Sequence, residues 1–202
     1  MMSYKTTTAT LNYYNLKAVD FTADTLDVAF TEIQETFRAY LSESSKILDF
    51  GCGSGRDTKY FLSKGHGVDA IDGSEELCKI ASEYTGIPVK QMLFNELTAI
   101  EEYDGIWACA SILHVEKKNL PEILRKMVVA VKAGGVIYVS FKYGDFEGEK
   151  NGRYFTYLTE ESFKELLKDI PEIHIEKSWI TGDVRAERGE EQWLNIIMQK
   201  QV

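Results

Sequence analysis

Cysteine is scarce in this 202-residue chain, and its spacing excludes two common uses of thiols. The three cysteines, Cys52, Cys78 and Cys109, are odd in number and far apart, and no CxxC pair occurs. A disulfide framework needs an even set of cysteines, and a structural zinc site needs clustered ligands. We therefore predict three reduced thiols and no metal centre.

Long apolar runs and an excess of basic charge are also lacking. No apolar run approaches the roughly 20 residues that span a bilayer, and the first residues, MMSYKTTTATLNYY, lack the apolar core of a signal peptide. Lys and Arg number 23 against 32 Asp and Glu, which gives a net charge of -9 at pH 7. Such a field repels a phosphate backbone. We expect a cytoplasmic protein, a monomer or weak homodimer, with a small-molecule substrate and neither membrane nor nucleic acid as partner.

The most informative stretch is residues 46–62, KILDFGCGSGRDTKYFL. An apolar run leads into three glycines at alternate positions, Gly51, Gly53 and Gly55, and an apolar face resumes beyond them at helical spacing. This pattern predicts a strand, a glycine turn and a helix. Glycine adopts positive φ and lets the backbone approach a ligand at the start of a helix. The turn is a candidate cofactor seat, although such turns also arise for close packing alone.

Apolar runs alternate with helical patterns through the middle of the chain. Gly65 is expected to end the helix that starts near position 56, and Ser74 to cap the next one. Short strands that are apolar on both faces and separated by helices indicate a parallel sheet covered on both sides. The predicted fold is α/β, a single Rossmann-like doubly wound domain over 1–202 with a seven-stranded, mostly parallel sheet. The predicted strands of this part are 47–50, 68–71, 89–94, 105–110 and 136–141, and a further helix is predicted at 120–131.

The N-terminal part precedes the first predicted strand. A 3.6-residue apolar stripe predicts a helix over 26–41 with Asp24 as its N-cap. Tyr13, Tyr14 and Phe21 lie upstream, in a stretch of low charge that looks rich in turns. Residues 1–45 as a whole are expected to form an N-terminal helical segment that serves as a lid.

The C-terminal part begins with a polar loop predicted over 142–152. Thr159 is expected to cap a helix that reaches Leu167. Two extended runs follow at 173–180 and 193–198, and the charged residues 182–191 look like the tip of a hairpin between them. The sheet is therefore expected to end in an antiparallel pair.

Asp72 ends the second predicted strand, 17 positions beyond Gly55. This is close to the roughly 20 positions at which a carboxylate meets the ribose hydroxyls of an adenosine, and the alternative is a turn or cap aspartate. An NAD fingerprint needs a third glycine where Arg56 stands, and Asp49 would oppose a pyrophosphate with like charge. The turn therefore suits a cationic ligand better than a dinucleotide.

The string DFGCGSG with Asp72 resembles the S-adenosylmethionine (SAM) motif of class I SAM-dependent methyltransferases. The strings YDGIWACASILHV and VKAGGVIYVSFKYG resemble that family's fourth and fifth strand segments. GRYFTYLTEES and WLNIIMQK fit the same subgroup, the small stand-alone bacterial members of methyltransferase type 11/12 or the tellurite-resistance-like type. The resemblance covers nearly the whole chain and implies SAM as methyl donor and S-adenosylhomocysteine (SAH) as product.

The resemblance also implies the contacts of the cofactor. The glycine turn would pass under the methionine and ribose, and adenine would lie between residues 73–74 and 92–94. Many members carry an aspartate near position 93 that reads the adenine amine; Leu93 stands there in this chain, so Asn95 or a backbone group must replace it. The implied cofactor-binding residues are Asp49 at the methionine amino group, Gly51, Cys52, Gly53 and Gly55 in the turn, Asp72 at the ribose, Gly73, Ser74, Met92, Leu93 and Phe94 around adenine, and Ala108, Cys109 and Ala110 beside the sulfonium.

Methyl transfer from a sulfonium depends mainly on proximity and orientation, and a soft nucleophile such as a thiolate needs no strong base. An oxygen or nitrogen acceptor can need one. His114, just beyond the fourth strand, is the candidate base because its ordinary pKa lies near neutrality; the alternative is a structural histidine. The predicted substrate-side residues, from loop position alone, are Tyr14, Tyr143, Arg153 and Tyr157, each of which can instead be a packing residue.

Three functions are compatible with these residues. The first is a SAM-dependent methyltransferase acting on a small molecule. The second is a nicotinamide oxidoreductase, which Arg56 and Asp49 disfavour. The third is a non-enzymatic SAM-binding protein, which would bind SAH without turnover.

Overall fold

A seven-stranded sheet forms the centre of the computed structural model, which describes residues 4–184 and 191–202. The strands are β1 Lys46–Phe50, β2 Gly67–Asp72, β3 Val89–Gln91, β4 Tyr103–Ala108, β5 Val131–Lys142, β6 Glu147–Lys150, β7 Arg153–Thr156, β8 Ile173–Gly182 and β9 Gln192–Lys200. The helices are α1 Tyr4–Leu16, α2 Ala18–Thr25, α3 Thr31–Arg38, α4 Arg56–Ser63, α5 Glu75–Thr85, α6 Leu120–Ala130 and α7 Glu160–Leu167.

The sheet has the strand order β3-β2-β1-β4-β5-β9-β8, and β6 pairs with β7 in a separate hairpin. Strands β1 to β5 are parallel, whereas β9 runs antiparallel to both β5 and β8. The predicted mostly parallel α/β sheet with an antiparallel C-terminal pair is confirmed. Because the chain leaves β1 towards one edge and returns through β4 towards the other, a crevice opens beyond the carboxyl ends of these two strands.

Both faces of the sheet are covered by helices. On one face, α3 and α4 bury Phe37 and Phe61 against Trp107 of β4 and Tyr138 of β5, whose rings stack with centroids 4.0 Å apart. On the other face, α6 and α7 cover a larger core that includes Phe163. Truncating a buried aromatic of this kind to alanine costs about 3 to 5 kcal/mol. The strand ends that border the crevice are therefore anchored on both sides.

The predicted helix boundaries in the middle of the chain are confirmed. Gly65 has φ +85° just beyond α4, a conformation that favours glycine. The Ser74 hydroxyl accepts a hydrogen bond from the Leu77 N–H at 3.2 Å and caps α5, and Thr159 caps α7 in the same way. Local side-chain chemistry thus determines where these helices begin and end.

The predicted helix over 26–41 is wrong. Asp24 lies inside α2 rather than at an N-cap, and the helical stripe is interrupted before α3 begins at Thr31. At the break, Phe30 is the N-cap of α3, and its ring centroid lies 4.2 Å from the guanidinium carbon of Arg56. The upstream stretch that looked rich in turns is also helical, because α1 packs on β7 and α5 rather than relying on its own weak propensity.

Three further boundaries differ from prediction. β3 ends at Gln91 and gives way to a 3₁₀ turn at Phe94–Glu96, and β4 covers Tyr103–Ala108 rather than 105–110. β5 begins five residues earlier than predicted, where the pairing with β4 shifts register. The polar loop over 142–152 contains β6 and is followed by β7, since these polar residues pair with each other. Most of the predicted hairpin tip at 182–191 lies outside the described residues.

Among the helices of the described ranges, none combines the length and the apolar character that crossing a membrane would require.

Candidate active site

A cavity of about 680 Å³ opens beyond the carboxyl ends of β1, β4 and β5. This volume lies within the range of about 300 to 1,000 Å³ that is usual for small-molecule sites. Thirteen of the predicted site residues line it: Gly51, Cys52, Gly53, Asp72, Gly73, Met92, Leu93, Phe94, Cys109, Ala110, His114, Tyr14 and Arg153. Six others, namely Asp49, Gly55, Ser74, Ala108, Tyr143 and Tyr157, are not among its lining residues.

The glycine turn needs glycine for two reasons. Gly51 has φ +92°, and a Cβ built there would lie 2.5 Å from Cβ of Ser111, a distance real atoms do not reach. The N–H groups of Gly51 and Cys52 both donate to the Ile71 carbonyl, at 3.0 and 2.9 Å. The Gly53 N–H donates to Asp72 Oδ2 at 2.9 Å. These three amides are engaged within the protein, so the turn is poorly suited to hold a pyrophosphate.

The carboxylate of Asp72 is fixed at the cavity edge by the backbone. Its Oδ2 accepts from the Gly53 N–H, and its Oδ1 accepts from the Ser74 N–H at 2.8 Å. Each oxygen keeps a further lone pair, so the group can accept from two neighbouring hydroxyls. Burial raises the pKa of Asp72 above its ordinary value, although the backbone hydrogen bonds oppose that shift. Hydroxyl donors from a ribose would add to the stabilisation of the ionised form.

Gly73, Leu11 and Leu93 line an apolar part of the cavity, here called the slot. A Cβ on Gly73 would lie 2.7 Å from Cδ2 of Leu11 and 3.4 Å from Cδ2 of Leu93. Oδ1 of Asn95, which also lines the cavity, is buried and has no hydrogen-bond partner among the described residues. An unpaired buried acceptor is costly unless a ligand donates to it, and the adenine amine is such a donor. Asn95 is therefore a candidate acceptor for the adenine amine, and Leu11 is a wall residue that sequence reasoning missed.

A buried charge cluster lies at the other side of the glycine turn. Arg56 contacts Asp57 at 2.8 Å, and Asp57 also accepts from Gln34 and Trp107. Burial tends to raise the pKa of Asp57, but Arg56 and these donors outweigh it and lower the pKa. Arg56 lines the cavity, which makes it a candidate partner for the methionine carboxylate that its sequence position did not reveal.

Asp49 lies behind this wall rather than in it. It is 2% exposed and accepts a hydrogen bond from the Thr58 hydroxyl at 2.5 Å. Burial, assisted by the negative charge of Asp57, raises the pKa of Asp49 well above its ordinary range. Contact between Asp49 and a methionine amino group stays a prediction.

The end of β4 runs along the cavity, from the side next to the glycine turn to the opposite side, called the far side below. Ala108 is fully buried, whereas Cys109 and Ala110 line the cavity. The Ala110 N–H donates to the Ser140 hydroxyl at 2.8 Å, which holds this segment against β5. Burial raises the pKa of the Cys109 thiol, so Cys109 is a poor nucleophile.

His114, Tyr14 and Arg153 meet at the far side of the cavity. His114 Nδ1 lies 2.6 Å from the Tyr154 carbonyl oxygen, so Nδ1 carries the proton and Nε2 accepts from the Tyr14 hydroxyl at 2.8 Å. Arg153 Nη1 in turn donates to the Tyr14 oxygen at 3.4 Å. Burial lowers the pKa of His114 to about 4 and raises that of Tyr14. The imidazole is therefore neutral at pH 7 and already has both nitrogens paired.

Tyr143 and Tyr157 face away from the cavity. The Tyr143 hydroxyl donates to Glu160 at 3.4 Å, and the Tyr157 ring packs on Phe146. Loop position suggested substrate contact, but side chains alternate along the end of β5, so Lys142 lines the cavity instead of Tyr143.

Over residues 4–184 and 191–202, no group of three or more His, Cys, Asp or Glu side chains is placed to hold a metal ion.

Residues 47–135 match the family model described as a methyltransferase domain. An uncharacterized methyltransferase of Staphylococcus carnosus is 26% identical over 140 residues, which cover 62% of this chain and 67% of that protein. An 18S rRNA (guanine-N(7))-methyltransferase of Schizosaccharomyces pombe is 27% identical over 104 residues, 45% of this chain and 39% of that protein. The crystal structure of Burkholderia thailandensis 1,6-didemethyltoxoflavin-N1-methyltransferase, with bound 1,6-didemethyltoxoflavin and SAH, has a TM-score of 0.81 at 21% identity and covers 98% of this chain and 90% of that one.

The methyltransferase-domain match over residues 47–135, together with the fold shared with SAM-dependent methyltransferases, supports a SAM-dependent methyltransferase with SAM as its cofactor. The nicotinamide and non-enzymatic alternatives are not favoured.

Proposed function

We propose that this methyltransferase acts on a small-molecule acceptor bound between the cofactor seat and β7. The observation that carries the proposal is the extent of the cavity, which continues past Ala110 to a chamber walled by Tyr14, His114, Arg153 and Phe155. Helix α1 covers this chamber, because the Tyr154 N–H of β7 donates to the Thr10 hydroxyl at 3.0 Å. A covered chamber of this size suits a small molecule better than a polymer.

Charge and the comparisons support the same acceptor class. The net charge of -9 disfavours an RNA substrate, and the chain matches only 39% of the fission-yeast rRNA methyltransferase. The Burkholderia enzyme, which the chain matches over nearly its full length, is named for a small heterocyclic acceptor. We assign the acceptor of this chain to small molecules on these grounds.

The cofactor would lie along the near side of the cavity. When bound, SAM supplies an activated methyl group on a sulfonium centre. Asp72 would accept from the ribose hydroxyls, and Oδ1 of Asn95 would accept from the adenine amine in the slot beside Leu11. Arg56 would pair with the methionine carboxylate, with Asp49 close behind it. Cys109 and Ala110 would lie between the cofactor and the acceptor.

Residues 1–45 would act as the lid over both ligands. Leu11 of α1 borders the slot at Gly73, and Phe21 of α2 lies within 3.1 Å of a Cβ built on Gly53. Helix α2 has no side-chain cap at its N-terminus, since Lys17 makes no capping hydrogen bond. Segments that depend on tertiary contacts in this way open more readily than a central sheet.

His114 is proposed to shape the acceptor chamber, and a general-base role stays a prediction. Its Nε2 lone pair is occupied by Tyr14, and its lowered pKa makes it a weak base at neutral pH. Removal of an acceptor proton would require Tyr14 to move or to relay the proton to Nε2.

The experiment that tests the proposal is an assay of SAH formation with SAM and a panel of acceptors: thiols, selenite, tellurite, phenols and nitrogen heterocycles. Thermal shifts with SAH and with NADH are recorded in parallel. We expect stabilisation by SAH alone and turnover with at least one small molecule. Stabilisation by SAH without turnover on any acceptor, or turnover on rRNA fragments alone, would contradict the proposed acceptor class.

A further inference from the structure

Arg153 brings a positive charge into the acceptor chamber that no carboxylate neutralises within the part of the chain that the structure describes. The other two cations of the cavity wall are paired: Arg56 with Asp57 at 2.8 Å, and Lys142 with Glu191 at 2.7 Å. For Arg153 the structure gives one long hydrogen bond, 3.4 Å to the Tyr14 hydroxyl. Its Nε is buried and has no hydrogen-bond partner over residues 4–184 and 191–202.

The guanidinium is held in the chamber by aromatic rings. It lies 4.4 Å from the ring centroid of Tyr13, 5.0 Å from that of Phe155 and 5.7 Å from that of Tyr14. The hydrogen bond between Tyr154 N–H and Thr10 fixes β7 against α1 beside it. A planar cation held between aromatic faces has a defined orientation and keeps its N–H donors available for a ligand.

The total charge of the protein does not explain this cation. With a net charge of -9, the long-range field would repel an anion. At physiological salt, however, charges are screened beyond about 8 Å, so an anion inside the chamber responds to its immediate neighbours. A buried N–H without a partner is expensive to maintain, and an anionic ligand would satisfy it with a charge-assisted hydrogen bond.

We propose that the methyl acceptor binds as the anion of a flat aromatic or heteroaromatic compound, with its negative charge against the guanidinium of Arg153 and its ring among Tyr14, Phe155 and the neighbouring cavity wall. This inference rests on the proposed small-molecule function and narrows it. The aromatic rings around Arg153 favour a flat ligand, and the unpaired N–H donors favour an anionic one.

With an anionic acceptor, methyl transfer also needs no base to remove a proton. A lone pair of the acceptor forms the new bond to the methyl carbon as the bond between that carbon and sulfur breaks, and the electron pair of the broken bond stays on sulfur. The positive sulfonium and the negative acceptor thereby become a neutral thioether and a neutral methylated product. No proton has to move, which agrees with a His114 whose two nitrogens are both engaged.

The test uses pairs of ligands that share a shape and differ in charge: 2-naphthoate with 2-naphthamide, and 4-nitrophenolate at pH 8.5 with 4-nitroanisole. Calorimetry measures each dissociation constant on the full chain saturated with SAH. We expect the wild type to prefer at least one anion over its neutral partner by about tenfold or more. Arg153→Gln should reduce that preference to within about twofold, and Arg153→Lys should keep part of it.

Arg125→Gln is the matched control, because Arg125 is an exposed arginine on α6 and its loss changes the net charge equally. It should leave the preference unchanged. Two results would overturn the inference: equal binding of anion and neutral partner in both pairs, or a preference for the anion that survives Arg153→Gln. In either case, binding of SAH by the wild type would still support the proposed cofactor site. Failure of the wild type to bind SAH would instead overturn the proposed function. If Arg153→Gln no longer binds SAH, the wild type is compared with Arg153→Lys instead, at 50 and at 500 mM salt. Identical preferences of these two proteins for the anion over its neutral partner would also overturn the inference.

Discussion

The two ends of the cavity are assembled from different distances along the chain. The cofactor end uses consecutive strand ends and turns, and the Gly53 N–H of the glycine turn donates to Asp72 at the end of β2. The acceptor end joins Tyr14 to His114 across 100 positions and to Arg153 across 139. A site built from one strand-turn-helix unit has a local sequence pattern, whereas a site built by docking a helix onto a hairpin does not.

The largest expected effect concerns the cofactor end. Asp72→Ala removes the proposed acceptor of two ribose hydroxyls, and hydrogen bonds to a charged group contribute about 1.5 to 3 kcal/mol each. We expect SAH affinity to fall by at least about tenfold in a folded protein. Calorimetry measures it, with Asp69→Ala as control, since Asp69 is an exposed aspartate of the same strand that pairs with Lys46.

Equal losses in the two aspartate variants would indicate a general charge effect rather than a ribose contact. Unchanged affinity in folded Asp72→Ala would mean that the ribose lies elsewhere.

The second prediction tests whether the glycine turn is rigid. Gly51→Ala and Gly65→Ala both place a side chain at positive φ, which costs about 1 to 2 kcal/mol. Only Gly51→Ala adds a clash, 2.5 Å to Ser111, because nothing lies within 4 Å of a Cβ on Gly65. Urea unfolding should show the larger loss for Gly51→Ala, by about 1 to 3 kcal/mol, together with weakened SAH binding. Equal losses of unfolding free energy in the two variants would show that the turn can move to accommodate a side chain at Gly51.

The third prediction uses the pH dependence of the acceptor end. The pKa of His114 is about 4 in the folded chain and about 6.5 when unfolded, so the unfolded state binds a proton first as pH falls. The contribution of His114 to stability is complete above pH 6.5 and is lost progressively towards pH 4. The loss is about 1 to 3 kcal/mol, because each pKa unit corresponds to about 1.4 kcal/mol and His114 keeps some exposure to the cavity.

Denaturant unfolding at pH 7 and pH 4.5 measures this effect in the wild type and in His114→Gln. The contributions of the other titrating groups cancel when the stability changes of the two proteins are compared. The variant should lose less stability on acidification than the wild type. Parallel pH curves would mean that His114 is not held neutral by burial.

The smallest effect is expected at the adenine slot. Asn95→Leu removes the unpaired Oδ1 acceptor, and a neutral hydrogen bond is worth about 1 kcal/mol, so SAH affinity should fall about fivefold. Asn95→Asp keeps an oxygen acceptor and should stay within about threefold of the wild type. Isothermal titration with SAH distinguishes the two. The assignment fails if Asn95→Leu binds SAH as tightly as the wild type does.

The difference between locally assembled and long-range parts of the molecule also explains which features could be predicted from the sequence. The mostly parallel sheet with its antiparallel C-terminal pair, the Ser74 and Thr159 caps and the glycine turn follow from local patterns, because propensity, capping and periodicity agree there. The N-terminal helices did not follow, since α1 is rich in threonine and is stabilised by packing on β7 and α5. Phe30 shows the opposite error: the helical stripe continues through it in the sequence, but in the structure Phe30 is the N-cap of α3 and contacts Arg56.

Within the site, strand-end residues and loop residues were predicted on different grounds. Asp72, predicted from the way a parallel sheet brings its carboxyl ends together, lines the cavity. Arg153 and Tyr14, predicted from loop position, also line it, whereas Tyr143 and Tyr157, predicted in the same way, do not; loop position cannot distinguish alternate side-chain directions. Leu11 was missed because no local pattern links α1 to the adenine slot.

The most direct test of the whole account is one set of kinetic and binding measurements on Arg153→Gln with an acceptor found in the SAH-formation panel. If the two ends of the cavity are separate, SAH affinity should stay within about twofold of the wild type while kcat/KM for an anionic aromatic acceptor falls by about tenfold or more. Loss of SAH affinity in parallel with turnover, or unchanged kcat/KM, would contradict an acceptor chamber organised around Arg153.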